Sequence, residues 1–230
     1  MSDHTEGRLT KSNLHKKVDC MKLFENLKHG IVSLAFSITN IVLRVIYPPK
    51  ITWEDKKATC EVLGSGKCLL FSNHTGHLDG LYMAVLFKKY KVHTYVARDW
   101  YEKKKINWLF RNLPYIPIDR KDMDTSWLDL GVKKLDEGYP VYMFPEGKTS
   151  KERLPDEFKP GFLMLAKRAE VPVVPICIDG LFHNFRRIHI IIGKPLSMDL
   201  NEEGRPSTVL KKYANVARDK VIELKEKYGI

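Results

Sequence analysis

Residues 68–80 have the sequence CLLFSNHTGHLDG, a short apolar run that gives way to polar residues and glycine. The apolar start, Cys68 to Phe71, is typical of a buried β-strand, and the residues from Gly80 to Phe87 suit a helix. Ligand sites in α/β sheets favour the point where a strand ends and a helix begins. The stretch therefore predicts an α/β sheet and the position of a site within it.

The same alternation of apolar runs and helix-like stretches continues to the end of the chain. Further strands are predicted at residues 92–97, 115–118, 141–144, 173–178 and 188–192, and helices at 126–135, 161–169 and 209–227. We expect an α/β fold, with a central mixed sheet flanked by helices.

The N-terminal region has a different pattern. Residues 20–31 have the spacing of an amphipathic helix, and in residues 31–46 the polar side chains fall on one narrow stripe. That second segment contains Arg44 and would be about 24 Å long as a helix, which is short of the roughly 30 Å hydrocarbon core. An interfacial membrane anchor is favoured over a full span, and an ordinary core helix is the alternative.

This difference divides the chain into two predicted parts. Residues 1–50 form a basic tail and an amphipathic helical membrane anchor, and residues 51–230 form one α/β domain. Pro48 and Pro49 mark the end of the anchor helix.

Charge indicates what kind of partner to expect. Thirty-nine Lys and Arg against 28 Asp and Glu give a net charge of +11, which favours a polyanion such as an anionic membrane surface, a phosphate-bearing substrate or nucleic acid. The sequence has no aromatic-basic or helix-turn-helix signature, so we expect no nucleic acid partner. Four scattered cysteines without a C-x-x-C pair indicate neither a zinc site nor a disulfide framework, and favour a reducing cytoplasmic setting.

His74 and Asp79 could act together across a turn. Asp79 would accept the proton of one imidazole nitrogen and leave the other nitrogen free to take a proton from a hydroxyl. The sequence has no G-x-S-x-G motif, so the hydroxyl could belong to a bound substrate. Two alternatives remain open: His77 as the active imidazole, and a metal site formed by both histidines and the aspartate, although no fourth ligand is evident.

Residues 144–150, FPEGKTS, follow another predicted strand. They offer a polar cup, made of Glu146, Gly147, Lys148 and Thr149, for a substrate that carries hydroxyl and phosphate groups. A phosphate loop of the G-x-x-x-x-G-K-[ST] type is excluded, because Tyr142 occupies the place of its first glycine.

These blocks resemble the PlsC-type glycerolipid acyltransferases, also called lysophosphatidate acyltransferases. The N-H-x4-D block is at Asn73 to Asp79, and the arginine-bearing block is at Ile116 to Arg120. The third block resembles Phe144 to Gly147, and the proline-containing apolar strand is at Val171 to Ile176. All four occur in the family's order.

The resemblance implies roles for these residues. His74 and Asp79 would deprotonate an acceptor hydroxyl, which attacks the thioester of acyl-CoA or acyl carrier protein without an acyl-enzyme intermediate. Arg98 and Arg120 would lie near the acceptor's phosphate, and Glu146 and Gly147 would belong to the acceptor site. No metal or other cofactor is implied.

The expected function is acylation of a lysophospholipid acceptor, 1-acylglycerol-3-phosphate, to phosphatidate at the cytoplasmic face of the cell membrane. Glycerol 3-phosphate or another lysolipid is the alternative acceptor, and a non-catalytic basic membrane-binding module is the alternative of another class. The family's third block commonly continues Thr-Arg-Ser, whereas this chain has Lys148 and Thr149 before Ser150. Lys148 could replace the arginine as a point charge, without its bidentate geometry.

Overall fold

The structure, a computed structural model, describes residues 11–105, 107–119, 125–150, 154–179 and 187–230. The chain divides into two compact units, residues 1–38 and 39–230. The second unit contains a seven-stranded sheet. Its strands are β1 (Pro49–Trp53), β2 (Leu69–Ser72), β3 (His93–Ala97), β4 (Tyr115–Ile118), β5 (Val141–Met143), β6 (Val173–Ile178) and β7 (Ile188–Ile192).

The strand order is β1-β7-β6-β2-β5-β3-β4. All neighbouring strands run parallel except β6 and β7, which are antiparallel. This confirms the central mixed sheet flanked by helices. Strands β2, β5 and β6 are buried at every position, which explains why they have nearly uninterrupted apolar sequences.

Among the described residues, six helices lie between successive strands, one precedes the first strand and one follows the last. They are α1 (Lys11–Ile46), α2 (Lys56–Ser65), α3 (Asp79–Leu86), α4 (Arg98–Tyr101), α5 (Asn107–Asn112), α6 (Ser126–Asp136), α7 (Gly161–Ala169) and α8 (Pro206–Tyr228), with a 3-10 turn at Lys88–Tyr90. Phe71 of β2 packs against Phe158 and Phe162, at ring-centroid distances of 6.0 and 5.0 Å, within the core that includes α7.

Several elements differ from the sequence-based expectation. The two segments predicted at residues 20–31 and 31–46 belong to one helix, α1. The predicted boundary at residue 50 falls inside β1, which pairs with β7 from Pro49 onward. This edge strand was missed because its first residue is a proline and Lys50 interrupts its apolar pattern. The sequence also did not predict α2, which begins after Asp55, whose carboxylate caps the Ala58 N–H at 3.0 Å.

Candidate active site

The site residues converge because β2 and β5 are parallel neighbours, with Phe71 opposite Met143. The carboxyl ends of parallel strands lie at the same edge of a sheet. The polar residues after β2, at 73–79, therefore lie beside those after β5, at 144–150.

The turn after β2 brings His74 to Asp79. The imidazole Nδ1 lies 3.0 Å from the Asp79 carboxylate Oδ2. Asp79 is the first residue of α3 and its side chain is completely buried, whereas that of His74 is 19% exposed. A buried carboxylate on Nδ1 leaves Nε2 as the nitrogen that can accept a proton, which is the arrangement of a general base and its orienting group.

Hydrogen bonds from the turn itself fix the Asp79 carboxylate. Its Oδ2 accepts the backbone N–H groups of Thr75, at 2.6 Å, and Gly76, at 2.9 Å. The Thr75 hydroxyl also donates to Oδ2, at 3.2 Å. The carboxylate that orients His74 is thus itself held in one position.

Two residues of the loop after β5 also contact His74. The imidazole stacks on the Phe144 ring, with centroids 4.0 Å apart and an interplanar angle of 20°. The backbone N–H of Ser150 donates to the His74 carbonyl at 2.8 Å. The histidine therefore has little freedom to leave Asp79.

Glu146 connects the two loops through the backbone. One carboxylate oxygen accepts the N–H of His74 at 2.6 Å, and the other accepts that of Asp156 at 3.1 Å. Burial raises the pKa of Glu146 above its ordinary value, and these two backbone hydrogen bonds counteract part of that rise. The side chain is 2% exposed. The Glu146 carboxylate thus links the backbone after β2 to the loop after β5. Its role in acceptor binding stays a prediction.

Gly147 forms the turn that follows. Its φ of +69° lies in the left-handed region, which favours glycine, and its N–H donates to the Phe144 carbonyl at 3.1 Å. Together with His74, Lys148 and Thr149, it lines a cavity of about 690 Å³.

Most of the remaining cavity wall is apolar. It includes Leu81, Val96, Leu113, Ile118, Trp127 and Phe162, which come from different helices, strands and a turn. The cavity thus combines an imidazole and hydrophilic loop residues with a hydrophobic wall, a combination that suits an amphiphilic ligand.

The structure distinguishes the two histidines. Among the contacts it describes, Asp79 pairs with His74 and not with His77, which is exposed and lies 6.0 Å from the Trp100 ring. Within the described ranges, no group of three or more His, Cys, Asp and Glu side chains is placed to hold a metal ion.

Of the two arginines expected near the phosphate, the structure describes only Arg98. Arg98 begins α4, and its guanidinium Nη1 lies 3.6 Å from the Asp119 carboxylate. Its neighbours Ala97 and Trp100 line the cavity. Arg120 lies outside the described residues. A role in phosphate binding stays a prediction for both.

Lys148 and Thr149 both line the cavity, but Lys148 has a partner. Its ammonium lies 3.0 Å from the Asp156 carboxylate, and its side chain is 70% exposed. The cation that follows the glycine is therefore largely in solvent and already paired.

Sequence reasoning missed two residues of the site. It did not single out Phe144 as the stacking partner of His74, although an aromatic residue directly after a predicted strand was visible in the third block. It also missed Lys159, which lines the cavity and whose N–H donates to the Pro145 carbonyl at 3.0 Å. No spacing rule connects Lys159 to the motifs, because its position depends on the path of the intervening loop.

Comparison with curated proteins identifies related sequences. A 1-acyl-sn-glycerol-3-phosphate acyltransferase of Bacillus subtilis is 28% identical over 129 residues, which cover 54% of this chain and 63% of that protein. A probable 1-acyl-sn-glycerol-3-phosphate acyltransferase of Mycoplasma pneumoniae is 29% identical over 160 residues, which cover 66% of this chain and 54% of that protein. The chain thus spans less than two thirds of the length of these relatives.

A solved structure shares the fold. The crystal structure of the 1-acyl-sn-glycerophosphate (LPA) acyltransferase PlsC from Thermotoga maritima matches with a TM-score of 0.56 and 21% identity, over 87% of this chain and 79% of that one. At that identity the likeness concerns the fold alone.

A sequence model of the family described as Acyltransferase matches residues 50–179. The matched region includes the His74–Asp79 pair, Glu146 and the strands that position them. Since the match extends over more than half of the 230 residues, the chain belongs to the Acyltransferase family.

Proposed function

We propose that this protein transfers a fatty acyl group from an acyl thioester to the free hydroxyl of 1-acylglycerol-3-phosphate, which gives phosphatidate. The observation that carries the proposal is the pairing of His74 with the buried Asp79 beside a cavity with a largely apolar wall. The printed names of the relatives support this choice of acceptor.

The proposed reaction needs one group, the His74 imidazole, that accepts a proton and later returns it. His74 Nε2 takes the proton of the acceptor hydroxyl while the hydroxyl oxygen bonds to the thioester carbonyl carbon. The resulting tetrahedral intermediate then collapses, the carbon–sulfur bond breaks, and the imidazolium returns the proton to the departing thiolate. Asp79 stabilises the imidazolium between these steps, and the protein forms no covalent bond to the acyl group.

The cavity wall supports the acyl part of the proposal. Leu113, Ile118 and Phe162 present surface that a hydrocarbon chain can cover, and such burial contributes about 0.8 kcal/mol per methylene group. Either acyl-CoA or acyl carrier protein could supply that chain as co-substrate, with no further cofactor.

We propose further that the protein binds peripherally to the anionic cytoplasmic face of the membrane. No helix among the described residues is long and apolar enough to cross a bilayer. In the first unit, α1 nevertheless exposes Leu27, Ile31, Leu34 and Ile38, each more than half accessible. Their spacing of four, three and four residues places them on one face of the helix. That face and the net charge of +11 suit an anionic interface.

An acyl-transfer assay tests the proposed reaction. The purified full chain is incubated with lysophosphatidate and either acyl-CoA or acyl carrier protein loaded with a fatty acid, with glycerol 3-phosphate as a competing acceptor. We expect a diacyl product by mass spectrometry from lysophosphatidate with at least one donor. A product formed only from glycerol 3-phosphate would show that glycerol 3-phosphate is the acceptor instead of lysophosphatidate. The absence of any acylated product would refute the proposal.

A further inference from the structure

The first lysine of the loop after β5, Lys148, is already paired with a carboxylate. A substrate with a phosphate group needs a cation, and Lys148 is the basic residue that directly follows Gly147. Its ammonium is already 3.0 Å from the Asp156 carboxylate, and its side chain is 70% exposed. A paired and solvated ammonium contributes little to holding an anion.

A second lysine lies over the same turn. Lys159 lines the cavity that also contains His74, and its backbone N–H donates to the Pro145 carbonyl at 3.0 Å. A β-carbon built on Gly147 would lie 3.2 Å from the Lys159 Nζ and 3.6 Å from its Cδ and Cε. The end of the lysine chain therefore rests against Gly147, and glycine leaves it the space to do so.

Lys159 is exposed to solvent, as Lys148 is, and the two lysines differ in their pairing. Among the described residues, Lys159 has no ion pair, whereas Lys148 pairs with Asp156. The nearby carboxylate of Glu146 accepts the N–H groups of His74 and Asp156, and Asp156 itself pairs with Lys148. Within the described residues, the Glu146 and Asp156 carboxylates beside this turn thus have other partners, and the Lys159 ammonium remains available to a ligand.

We propose that Lys159 binds the phosphate monoester of the lipid acceptor and thereby selects phosphorylated acceptors. This inference rests on the proposed function, and it locates the phosphate at the turn of Gly147. An ammonium acts there as a point charge with up to three N–H donors, so it needs no bidentate geometry to hold a phosphate.

Kinetics with a matched set of variants tests the assignment. Lys159→Met removes the charge and retains a similar chain length, and Lys159→Arg keeps the charge. The control is Lys211→Met, which changes an exposed lysine on α8 that does not line the cavity. We expect Lys159→Met to raise the KM for lysophosphatidate about tenfold or more, with little change in kcat or in the KM for the acyl thioester. Lys159→Arg should remain near wild type, and Lys211→Met should change the KM less than about threefold.

Two further measurements distinguish the phosphate of the acceptor from those of acyl-CoA. With monoacylglycerol as acceptor, which lacks the phosphate, Lys159→Met should behave like wild type. Acyl-CoA also carries phosphate groups, so a rise in the donor KM instead of the acceptor KM would overturn the proposal. Equal losses with phosphorylated and unphosphorylated acceptors would overturn it as well.

Direct binding separates this inference from the proposed reaction. Isothermal titration of lysophosphatidate into wild type and Lys159→Met reports phosphate binding whether or not turnover occurs. Binding that depends on Lys159 in a protein without transferase activity would support the phosphate site and refute the reaction. Equal affinity in both proteins, or no binding to wild type, would refute the phosphate site even if acyl transfer proceeds.

Discussion

At the scale of single residues, the protein assigns its two neighbouring histidines to different environments. Asp79 contacts the His74 Nδ1 at 3.0 Å, and Phe144 stacks on that ring. His77 is exposed beside Trp100. If His74 and Asp79 together provide the general base, His77 cannot replace His74.

We therefore predict that His74→Ala lowers kcat by about 10²–10⁴-fold, because general-base catalysis contributes that much, while His77→Ala stays within a few-fold of wild type. Asp79→Asn should approach the His74→Ala value, since the imidazole then loses the carboxylate that sets its tautomer. Initial rates of acyl transfer, with thermal melting to verify folding, measure both. A folded His74→Ala protein with nearly normal activity would rule out this base.

Glu146 provides a test that depends on pH. Burial raises its folded-state pKa above the ordinary value of 4.5, so the folded protein binds this proton more tightly than the unfolded chain. The stability that this group contributes is therefore fully present below pH 4.5 and is lost as the pH rises through the folded-state pKa.

Glu146→Gln removes that titration. We predict that the difference in melting temperature, wild type minus variant, becomes smaller as the pH rises from about 4.5 toward neutrality. Glu157→Gln, which changes an exposed carboxyl on the same loop, serves as the control. A difference that grows with pH would mean that the hydrogen bonds from His74 and Asp156 outweigh burial.

At the scale of elements, the sequence predicted each strand of the described sheet except β1. The expected bounds of β4, β6 and β7 agree with the structure, because an apolar run flanked by polar residues marks a strand without reference to its neighbours. The strand β1 was missed because Pro49 and Lys50 interrupt its apolar pattern, and its pairing with β7, from a distant part of the chain, is not visible in the sequence.

The same contrast applies to the site. His74 and Asp79 are close in sequence, so one turn could be inferred to join them. Lys159 reaches the cavity only because its backbone pairs with Pro145 across a loop. Tertiary contacts of that kind leave no periodic signal in a single sequence.

Asn73 shows how two strand ends are joined beside the site. Its side-chain amide donates to the Ile178 carbonyl at 2.8 Å, and its side-chain oxygen accepts the Ile178 N–H at 2.9 Å. This double hydrogen bond connects the residue after β2, which directly precedes His74, to the end of β6. The residue is 4% exposed, so water cannot readily replace it.

We predict that Asn73→Ala destabilises the protein by about 1–3 kcal/mol, because it leaves the backbone groups of Ile178 without partners. It should also lower kcat, since His74 directly follows. Urea unfolding and initial rates measure the two effects. Asn112→Ala, which removes an exposed hydrogen bond to the Trp108 carbonyl, is the matched control and should change both by much less. Equal effects of the two variants would show that the strand junction has no special importance.

At the scale of the whole molecule, the excess of positive charge and the apolar face of α1 should act together. The net charge of +11 attracts the chain to anionic lipid, an interaction that salt weakens within a screening length of about 10 Å at 0.1 M. The exposed side chains of Leu27, Ile31 and Leu34 can enter the interface, and that contribution is largely insensitive to salt.

We predict that replacing Leu27, Ile31 and Leu34 together with serine weakens binding to anionic vesicles by at least about a hundredfold, because burying each such side chain contributes roughly 1.5–3 kcal/mol. Vesicle sedimentation at increasing salt measures the affinity. Val216→Ser, which alters an apolar side chain that is 46% exposed on α8, tests whether any surface change has the same result. Vesicle binding that is unchanged in the triple variant would place the membrane contact elsewhere on the protein.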